Sequence, residues 1–226
     1  MRIRSLLACL AFAGLPLAVT AQADASDDAE SLIGQIDGQT YISPTGLFRV
    51  TIPVLPELGA NITDTPRVVT FEDAFTMHIT VAAFPMDATQ RWELSTRGKK
   101  DYLVYFFTNF VLADFVRKFP GSAVESAKFL STVQEGSLLA YTLLPGGSMF
   151  RERVALFGER DNLAKAKRGN LVFIRNDHVF IISSELGERA TERSQYTKKT
   201  AEEDAILQPR LMDMLGRMTF TGAAKK

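Results

Sequence analysis

Residues suited to acid–base chemistry are few in this sequence. The chain has two histidines, His78 and His178. His78 alternates with apolar residues in a predicted strand and His178 lies in a predicted hairpin turn, so we expect both imidazoles to be solvated. The motifs of zinc peptidases, nucleotide-binding loops and serine hydrolases do not occur. The sequence therefore predicts no catalytic residue, no metal ligand and no cofactor.

Carboxylates are the remaining candidates for chemistry. Glu152 alternates in phase with Phe150 and Val154, so we expect it to lie among apolar side chains, where a charge needs a partner. Two acidic clusters are interpreted as solubilising and helix-start residues: Asp27, Asp28 and Glu30, and Glu202, Glu203 and Asp204. A hydrolase whose carboxylate or histidine site assembles from distant segments is the alternative to a binding protein.

Charge gives no sign of a nucleic-acid partner. The chain has 26 basic and 26 acidic side chains, and such a balance creates no long-range attraction toward an anionic polymer or membrane. Short basic groups are interpreted as solvated charges on loops and helix ends: Arg97, Lys99 and Lys100, and Lys165, Lys167 and Arg168. These groups lack the interleaved exposed aromatics of a surface that binds single strands.

The first residues have the pattern of a secretory signal peptide. A basic start at residues 1–4, an apolar run over 6–19 and small residues before position 24 predict that residues 1–23 are cleaved. The apolar run is too short for a membrane span, so we predict none in the mature chain. Cleavage removes Cys9, the only cysteine, and leaves a net charge of about −2. We expect a periplasmic or secreted protein.

The mature chain is expected to contain one domain. Residues 24–39 are acidic and rich in small side chains, and we predict a flexible leader there. Residues 40–220 are long enough for one good core and contain no composition break. The prediction is therefore a single domain over 40–220, followed by a tail over 221–226.

Most of this domain is predicted to form short strands separated by turn residues. The predicted strands are Thr40–Ile42, Leu47–Ile52, Val68–Glu72, Phe75–Ala83, Val124–Thr132, Ser137–Leu144, Phe150–Phe157, Leu171–Ile174 and Val179–Ile182. Residues 53–67 and 158–169 are predicted loops. The last two strands are apolar at consecutive positions and meet across a tight turn, which predicts the centre of a sheet covered on both faces.

The longest predicted element is a helix over Lys99–Phe119. The chain has 16 Phe, 5 Tyr and 1 Trp, and seven of these aromatics lie in this helix. A capping residue at Asp87 predicts a preceding helical segment, interrupted at Gly98. At 3.6 residues per turn, one broad apolar face forms, which we expect to be buried on the sheet: Leu103, Phe106, Phe107, Phe110, Val111 and Phe115.

A second helix closes the domain. Thr200 with Glu203 resembles a capping box, and Pro209 is expected to kink or restart the helix. One helix would then cover each face of the sheet. The predicted fold is α+β, a twisted antiparallel sheet with helices on both faces, which is an α/β/α sandwich.

The order of these elements resembles a known family. The chain has an entry hairpin that reads Gly46–Pro53, an early strand pair, one long helix, a meander and a closing helix that runs into Leu215–Phe220. This order is similar to the PsbP-like α/β/α fold. The resemblance covers most of Thr40–Phe220. That fold is shared by an extrinsic subunit of photosystem II, a Ran-binding import factor and many small bacterial envelope proteins. The family has no common catalytic residues, so the resemblance implies a binding or assembly role.

The predicted contact surface is the flank of the aromatic helix. Tyr102 and Tyr105 lie on a stripe offset from the phenylalanine face, and a tyrosine tolerates one solvated end because its hydroxyl needs a partner. With Trp92, they are the predicted binding residues for a protein partner or an apolar small ligand. The sequence thus favours a non-enzymatic periplasmic binding or assembly protein.

Overall fold

The computed structural model describes residues 32–150, 165–192 and 195–221, and the chain from Leu32 onward forms one compact unit. Its described strands are β1 (Gln35–Asp37), β2 (Thr40–Ile42), β3 (Phe48–Thr51), β4 (Asn61–Asp64), β5 (Val68–Glu72), β6 (His78–Pro85), β7 (Ala123–Leu130), β8 (Ser137–Pro145), β9 (Lys165–Arg175), β10 (His178–Glu185) and β11 (Met218–Phe220). The helices are α1 (Ala88–Arg97), α2 (Lys99–Phe106), a π-helical segment (Phe107–Leu112), α3 (Ala113–Lys118), α4 (Gly187–Thr191) and α5 (Thr200–Gly216).

Two antiparallel sheets organise these elements. The larger has seven strands in the order β4-β5-β6-β10-β9-β8-β7, and the smaller has the order β1-β2-β3-β11. The β9–β10 hairpin lies at the centre of the larger sheet, as its consecutive apolar residues predict. Arg175 pairs with His178 across a two-residue turn, and both turn residues, Asn176 and Asp177, have the positive φ angles that such turns require.

The hairpin strands present alternate residues to two separate cores. On β10, Val179 and Ile181 pack with the aromatic residues of α2, whereas Phe180 and Ile182 pack with α5 and the smaller sheet. On α5, the buried residues Leu207, Leu211 and Met214 form the facing stripe. The predicted α+β fold, with helices on both faces of an antiparallel sheet, is therefore confirmed.

The first strand lies inside the segment predicted to be a flexible leader. Gln35–Asp37 pairs with β2, and the Asp64 carboxylate accepts hydrogen bonds from the backbone N–H groups of Ile33 (2.9 Å) and Gly34 (2.7 Å) and from the Tyr41 hydroxyl (2.7 Å). Gly34 is needed here because a Cβ would lie 2.6 Å from the Tyr41 hydroxyl oxygen. The flexible-leader prediction for 24–39 is thus wrong at its C-terminal end, where one carboxylate holds the chain against β4.

Two predicted loops contain strands. Asn61–Asp64, within the segment 53–67, forms the edge strand β4, and β9 begins at Lys165, six residues before the predicted start at Leu171. Both were missed because polar and proline-rich stretches resemble loops when no partner strand is known. The predicted strand over Phe150–Phe157 lies almost wholly outside the described residues.

The helix boundaries follow the predicted capping residues with one shift. The Asp87 carboxylate accepts a hydrogen bond from the Gln90 N–H (2.7 Å), and Gly98 separates α1 from α2, as predicted. At α5, however, the Glu202 carboxylate caps the backbone N–H of Lys199 (2.7 Å), one residue earlier than predicted. The helix then continues through Pro209 without a break, so it does not restart there.

Candidate functional site

Four aromatic rings and one guanidinium connect the core to the surface along α2 and the π-helical segment. The Tyr102 ring lies 6.2 Å from Phe106, Phe106 lies 5.1 Å from Phe110, and Tyr105 lies 6.2 Å from Phe110. The Arg97 guanidinium covers the Tyr105 ring at 4.5 Å, close enough for a cation–π interaction. We call these five residues the aromatic cluster.

Exposure increases along this cluster. Tyr102 is 0% exposed, Tyr105 is half-buried and Phe110 is 47% exposed. Phe107 is only 2% exposed although it lies three residues from Phe110 on the same predicted face. The prediction that this whole face is buried is therefore wrong at Phe110.

The π-helical segment gives the physical reason. Phe107–Leu112 adopts π-helical geometry, in which each hydrogen bond spans five residues instead of four. A face calculated at 3.6 residues per turn does not stay aligned through such a segment. The Asn109 side chain donates a hydrogen bond to the backbone carbonyl of Tyr105 in α2 (2.8 Å). This bond links the π-helical segment to the preceding turn of helix. Single π-helical turns frequently occur at functional sites.

Trp92 lies on the outer face of α1. Its side chain is 62% exposed, and no residue of α1 is fully buried. The half-buried residues Gln90 and Leu94 are each two positions away, about 200° around the helix. α1 is also held by polar contacts, since Arg91 Nη1 donates to Asp177 Oδ2 and to the Met86 carbonyl, both at 2.6 Å.

The three predicted binding residues lie in three different environments. Tyr102 belongs to the core, Tyr105 lies beneath Arg97 at the edge of the aromatic cluster, and Trp92 faces solvent on a different helix. The expectation of one exposed stripe containing both tyrosines is wrong for Tyr102. Phe110, which the sequence pattern assigned to the core, is exposed at the surface instead of Tyr102. No signal in the sequence distinguishes Phe110 from Phe107.

His78 is buried, contrary to the prediction. The predicted alternation is present, but the polar side of β6 is covered as well as the apolar side. The imidazole lies edge-on to the Phe150 ring at 6.3 Å, and its Nε2 is 3.7 Å from Glu72 Oε2. The imidazole is therefore packed against a buried aromatic ring, beside a carboxylate of β5.

His178 is the first residue of β10 and follows the β9–β10 turn directly, close to its predicted place, but it is half-buried and not fully solvated. Its Nδ1 is 2.7 Å from the Asn176 carbonyl of the same turn. Because His178 pairs with Pro85, at the opposite end of β6 from His78, the two histidines are separated by seven strand residues, about 23 Å. They cannot act on one substrate atom. Glu152 lies outside the described residues.

Lys167 is a buried cation that sequence reasoning placed on a loop. Its side chain is 0% exposed, and its Nζ lies 2.5 Å from Glu125 Oε2, 3.0 Å from Glu203 Oε2 and 2.6 Å from Asp204 Oδ1. Burial disfavours the ammonium, but the hydrogen bonds that it donates to these three carboxylates raise the pKa of Lys167 above its ordinary value. The ammonium is therefore a permanent charge that ties α5 to β7 and β9.

Glu203 receives further partners at the same site. Its Oε1 accepts a hydrogen bond from the Tyr196 hydroxyl (2.6 Å) and lies 3.2 Å from Arg189 Nε. Burial works to raise the pKa of Glu203, but Tyr196, Lys167 and Arg189 together lower it. Because Glu202 caps the helix, Glu203 is free to face the core. The sequence contained a signal for the burial of Lys167. Lys167 lies four residues before Leu171, so on an extended strand both side chains point to the same face.

The next residue points to the opposite face of the sheet. Arg168 Nε lies 3.5 Å from Glu185 Oε2, and its Nη2 donates to the Gly147 carbonyl (2.7 Å). Lys165, by contrast, is exposed, as are Arg97 and Lys100. The prediction of solvated charge is thus confirmed for these three residues and wrong for Lys167, while Arg168 is partly buried.

Two further classes of site were searched for within the described ranges. In residues 32–150, 165–192 and 195–221, no group of three or more His, Cys, Asp or Glu side chains has the arrangement of a metal site. Over the same ranges, no helix has the length and apolar character needed to cross a bilayer.

Comparisons with known proteins identify the fold. No family model and no curated protein matches the sequence. Cyanobacterial PsbP (CyanoP) from Synechocystis matches with 12% identity over 84% of this chain and 99% of that chain, with a TM-score of 0.50. The predicted PsbP-like fold is therefore confirmed, and at such an identity the likeness shows the fold alone.

Two other solved structures have lower TM-scores. The Ran-binding protein Mog1p of Saccharomyces cerevisiae is 12% identical over 85% of this chain and 97% of that chain, with a TM-score of 0.48. A protein of Bacteroides thetaiotaomicron is 12% identical over 84% of this chain, with a TM-score of 0.41. This chain spans about half the length of the Bacteroides protein, with 51% covered.

Proposed function

We propose that this chain is a non-enzymatic periplasmic protein that binds a protein partner through α1 and the exposed end of the aromatic cluster. The observation that carries the proposal is the exposure of Phe110, the outermost ring of a cluster whose other end is completely buried. When a partner covers the open face of this phenylalanine, apolar surface is removed from water, and this burial stabilises the complex. The ring is also held by its neighbours, so little side-chain entropy is lost on binding.

The composition of this surface supports protein recognition. Trp, Tyr and Arg are the residue types that contribute most often to binding energy at protein interfaces. Here Trp92 is exposed on α1, and Arg97 is stacked on Tyr105 beside Phe110. An amphipathic guanidinium at the rim and aromatic rings at the centre reproduce the usual arrangement of an interface.

Local charges indicate what kind of partner segment fits. Arg97 Nε lies 2.5 Å from Glu93 Oε2, and Arg91 is paired with Asp177. These cations are already neutralised, so the surface offers little net charge to a strongly acidic or basic partner. We therefore expect an apolar partner segment, such as an amphipathic helix or an extended strand with apolar side chains.

Site-specific photo-crosslinking in intact cells tests the proposal. A benzophenone amino acid replaces Phe110 or Trp92 in separate variants, and a control variant carries it at Leu55, which is 56% exposed. Leu55 lies near the β5–β6 loop, whereas α1 follows the far end of β6, about 25 Å away.

We expect the same covalent adduct from positions 110 and 92 and none from position 55. The adduct should be recovered from the periplasmic fraction, because the predicted signal peptide directs the chain there. Adducts from all three positions, or from Leu55 alone, would contradict the proposed surface. An adduct found only in the cytoplasm would contradict the proposed location.

A further inference from the structure

A small open pocket lies between the smaller sheet and strands β5 and β6 of the larger sheet. Its rim is formed by Ser43 and Thr45, in the turn after β2, and by Arg67, immediately before β5. Its inner wall is apolar, because Phe48 of β3 and Ala83 of β6 also line it. The open space measures about 200 Å³, less than the roughly 300–1,000 Å³ of a typical small-molecule site. The pocket is therefore suited to the end group of a ligand.

The strand register directs the Arg67 side chain toward this pocket. The Ala83 N–H donates to the Arg67 carbonyl (2.9 Å), which extends the β5–β6 ladder by one pair beyond Val68 and Ala82. Residues directly opposite each other in an antiparallel pair point to the same face. Ala83 belongs to the core beneath the smaller sheet, so the Arg67 side chain lies on that face. Because Arg67 is exposed, its guanidinium lies at the mouth of the pocket and not in the core.

The charge of Arg67 has no anionic partner among the described residues. Within them, no carboxylate lies at ion-pair distance from its guanidinium. The carboxylate nearest in sequence, Asp64, accepts its hydrogen bonds from two backbone N–H groups and from the Tyr41 hydroxyl. The pocket therefore combines a positive charge with an apolar wall, and an anion is attracted most strongly where such a wall excludes water.

Two hydroxyl groups complete the polar side of the pocket. The Ser43 hydroxyl oxygen accepts a hydrogen bond from the Phe48 N–H (3.2 Å), which fixes its position. It lies 3.5 Å from the Thr45 hydroxyl, a distance at which a hydroxyl–hydroxyl contact is weak. The Ser43 O–H thus remains a donor. Hydroxyl and guanidinium donors together suit a carboxylate, since an ionised carboxylate only accepts hydrogen bonds.

We propose that this pocket binds a carboxylate group attached to a short aliphatic chain. The planar fork of the Arg67 guanidinium donates two parallel hydrogen bonds to the carboxylate, and the Ser43 hydroxyl donates a third. A sphere of the pocket's volume is about 7 Å across, which one carboxylate with a hydrogen bond on either side spans. The aliphatic chain packs on Phe48 and Ala83.

Two sources share this chemistry: a free aliphatic acid and the C-terminal carboxylate of a polypeptide. The pocket is independent of the proposed protein-binding surface. Phe48 and Ala83 belong to the core on one face of the larger sheet, whereas α2 packs on the other face.

The test uses the mature protein and four probes at neutral pH. Isovalerate carries a carboxylate on a branched aliphatic chain, and isovaleramide has the same shape without the charge. N-acetyl-valine presents the same groups as the C-terminus of a peptide, and inorganic phosphate is an anion without an apolar body. Binding is measured by two-dimensional NMR titration of isotope-labelled protein, whose backbone amide signals also report where each probe binds.

Two substitutions at one position separate charge from geometry. Arg67→Gln removes the charge, and Arg67→Lys keeps it but removes the planar fork. The matched control is Arg49→Gln. Arg49 is also exposed, but it lies on β3 between the buried residues Phe48 and Val50, so its side chain faces away from the pocket. Melting temperatures of all variants verify that each is folded.

We expect isovalerate to bind the wild-type protein with a Kd of about 1–10 mM, as its small size dictates. Isovaleramide should bind at least about tenfold more weakly, and the largest signal shifts should occur at Ser43, Thr45 and Val68. Arg67→Gln should weaken isovalerate binding at least about tenfold, because charged hydrogen bonds are lost. Arg67→Lys should weaken it about three- to fivefold, and Arg49→Gln less than about twofold.

The comparison of the two acids identifies the source of the carboxylate. N-acetyl-valine binding at least as tightly as isovalerate would indicate a polypeptide C-terminus, and weaker binding would indicate a free acid.

Several results would overturn the inference. They are equal binding of the amide and the acid, phosphate binding as tight as that of isovalerate, equal losses in Arg49→Gln and Arg67→Gln, and signal shifts outside the pocket. Absence of saturable binding by both acids up to about 50 mM also contradicts it. None of these outcomes changes the crosslinking expected at Phe110, so the two proposals fail independently.

Discussion

Phe107 and Phe110 form a matched pair for testing how the aromatic helix is divided between core and surface. Both are phenylalanines of the same π-helical segment, three residues apart, and they were equivalent in the sequence pattern. The structure makes them different, with 2% of Phe107 and 47% of Phe110 exposed. Replacing each by alanine removes the same atoms from two environments.

The magnitudes follow from these environments. Phe107→Ala empties a closed site in the core, which costs about 3–5 kcal/mol of unfolding free energy. Full burial of a phenylalanine contributes about 1.5–3 kcal/mol, and about half of that is realised at Phe110. Solvent fills the space left by Phe110→Ala, so no cavity penalty arises, and the better helix propensity of alanine offsets about 0.5 kcal/mol. We expect a net cost of about 0.3–1 kcal/mol for Phe110→Ala.

Urea denaturation of the mature protein, followed by far-ultraviolet circular dichroism, measures both values. The denaturant slope must stay constant across the wild type and both variants, so that a change in midpoint reports stability alone. Equal losses of more than about 3 kcal/mol would place Phe110 in the core and remove the basis of the proposed binding surface. A cost below about 1 kcal/mol for Phe107→Ala would show that this helix does not pack as described.

Three further predictions concern other parts of the molecule. Lys167→Met should lower the unfolding free energy by about 3–5 kcal/mol, because Glu203 is left buried with an incomplete set of partners. In the same urea assay, the control Lys165→Met at an exposed position should change the unfolding free energy by less than about 0.5 kcal/mol. Burial favours protonation of Asp64, but its three hydrogen bonds lower its pKa overall. The stabilisation by Asp64 should therefore be complete above about pH 4, the ordinary range of an aspartate, and disappear as the pH falls through the lowered folded-state pKa. The melting temperatures of wild type and Asp64→Asn should accordingly converge as the pH is lowered below about 4. Intact mass should show a chain that begins at Asp24, and a retained, acylated Cys9 would contradict the predicted signal peptide.

The central architecture could be predicted because it depends on patterns of period two and 3.6. Consecutive apolar residues in β9 and β10 identified strands covered on both faces, and Asp87 and Gly98 marked the ends of α1. The α+β fold follows from these local signals. It needs no knowledge of which distant side chains meet.

Contacts between distant segments could not be predicted. Lys167 meets Glu125 and Asp204, which lie about 40 residues away on either side. A lysine flanked by polar residues resembles a loop residue until those carboxylates are placed beside it. The sequence pattern also failed where local geometry departs from the ideal helix, since the π-helical segment exposes Phe110. Tyr102 was misplaced because a hydroxyl favours solvent, yet this residue is fully buried in one core cluster with Met86 and Phe106.

The affinity of the crosslinked partner for purified variants tests the central claim most directly. Phe110→Ala is expected to remain folded, so a loss of binding cannot be attributed to unfolding. We predict that it weakens binding at least about 30-fold, equivalent to about 2 kcal/mol and typical of a residue at the centre of an interface. Leu55→Ala, an apolar control of similar exposure, should change the affinity less than about twofold. Unchanged affinity in Phe110→Ala, or equal losses in both variants, would contradict the assignment of this surface as the binding site.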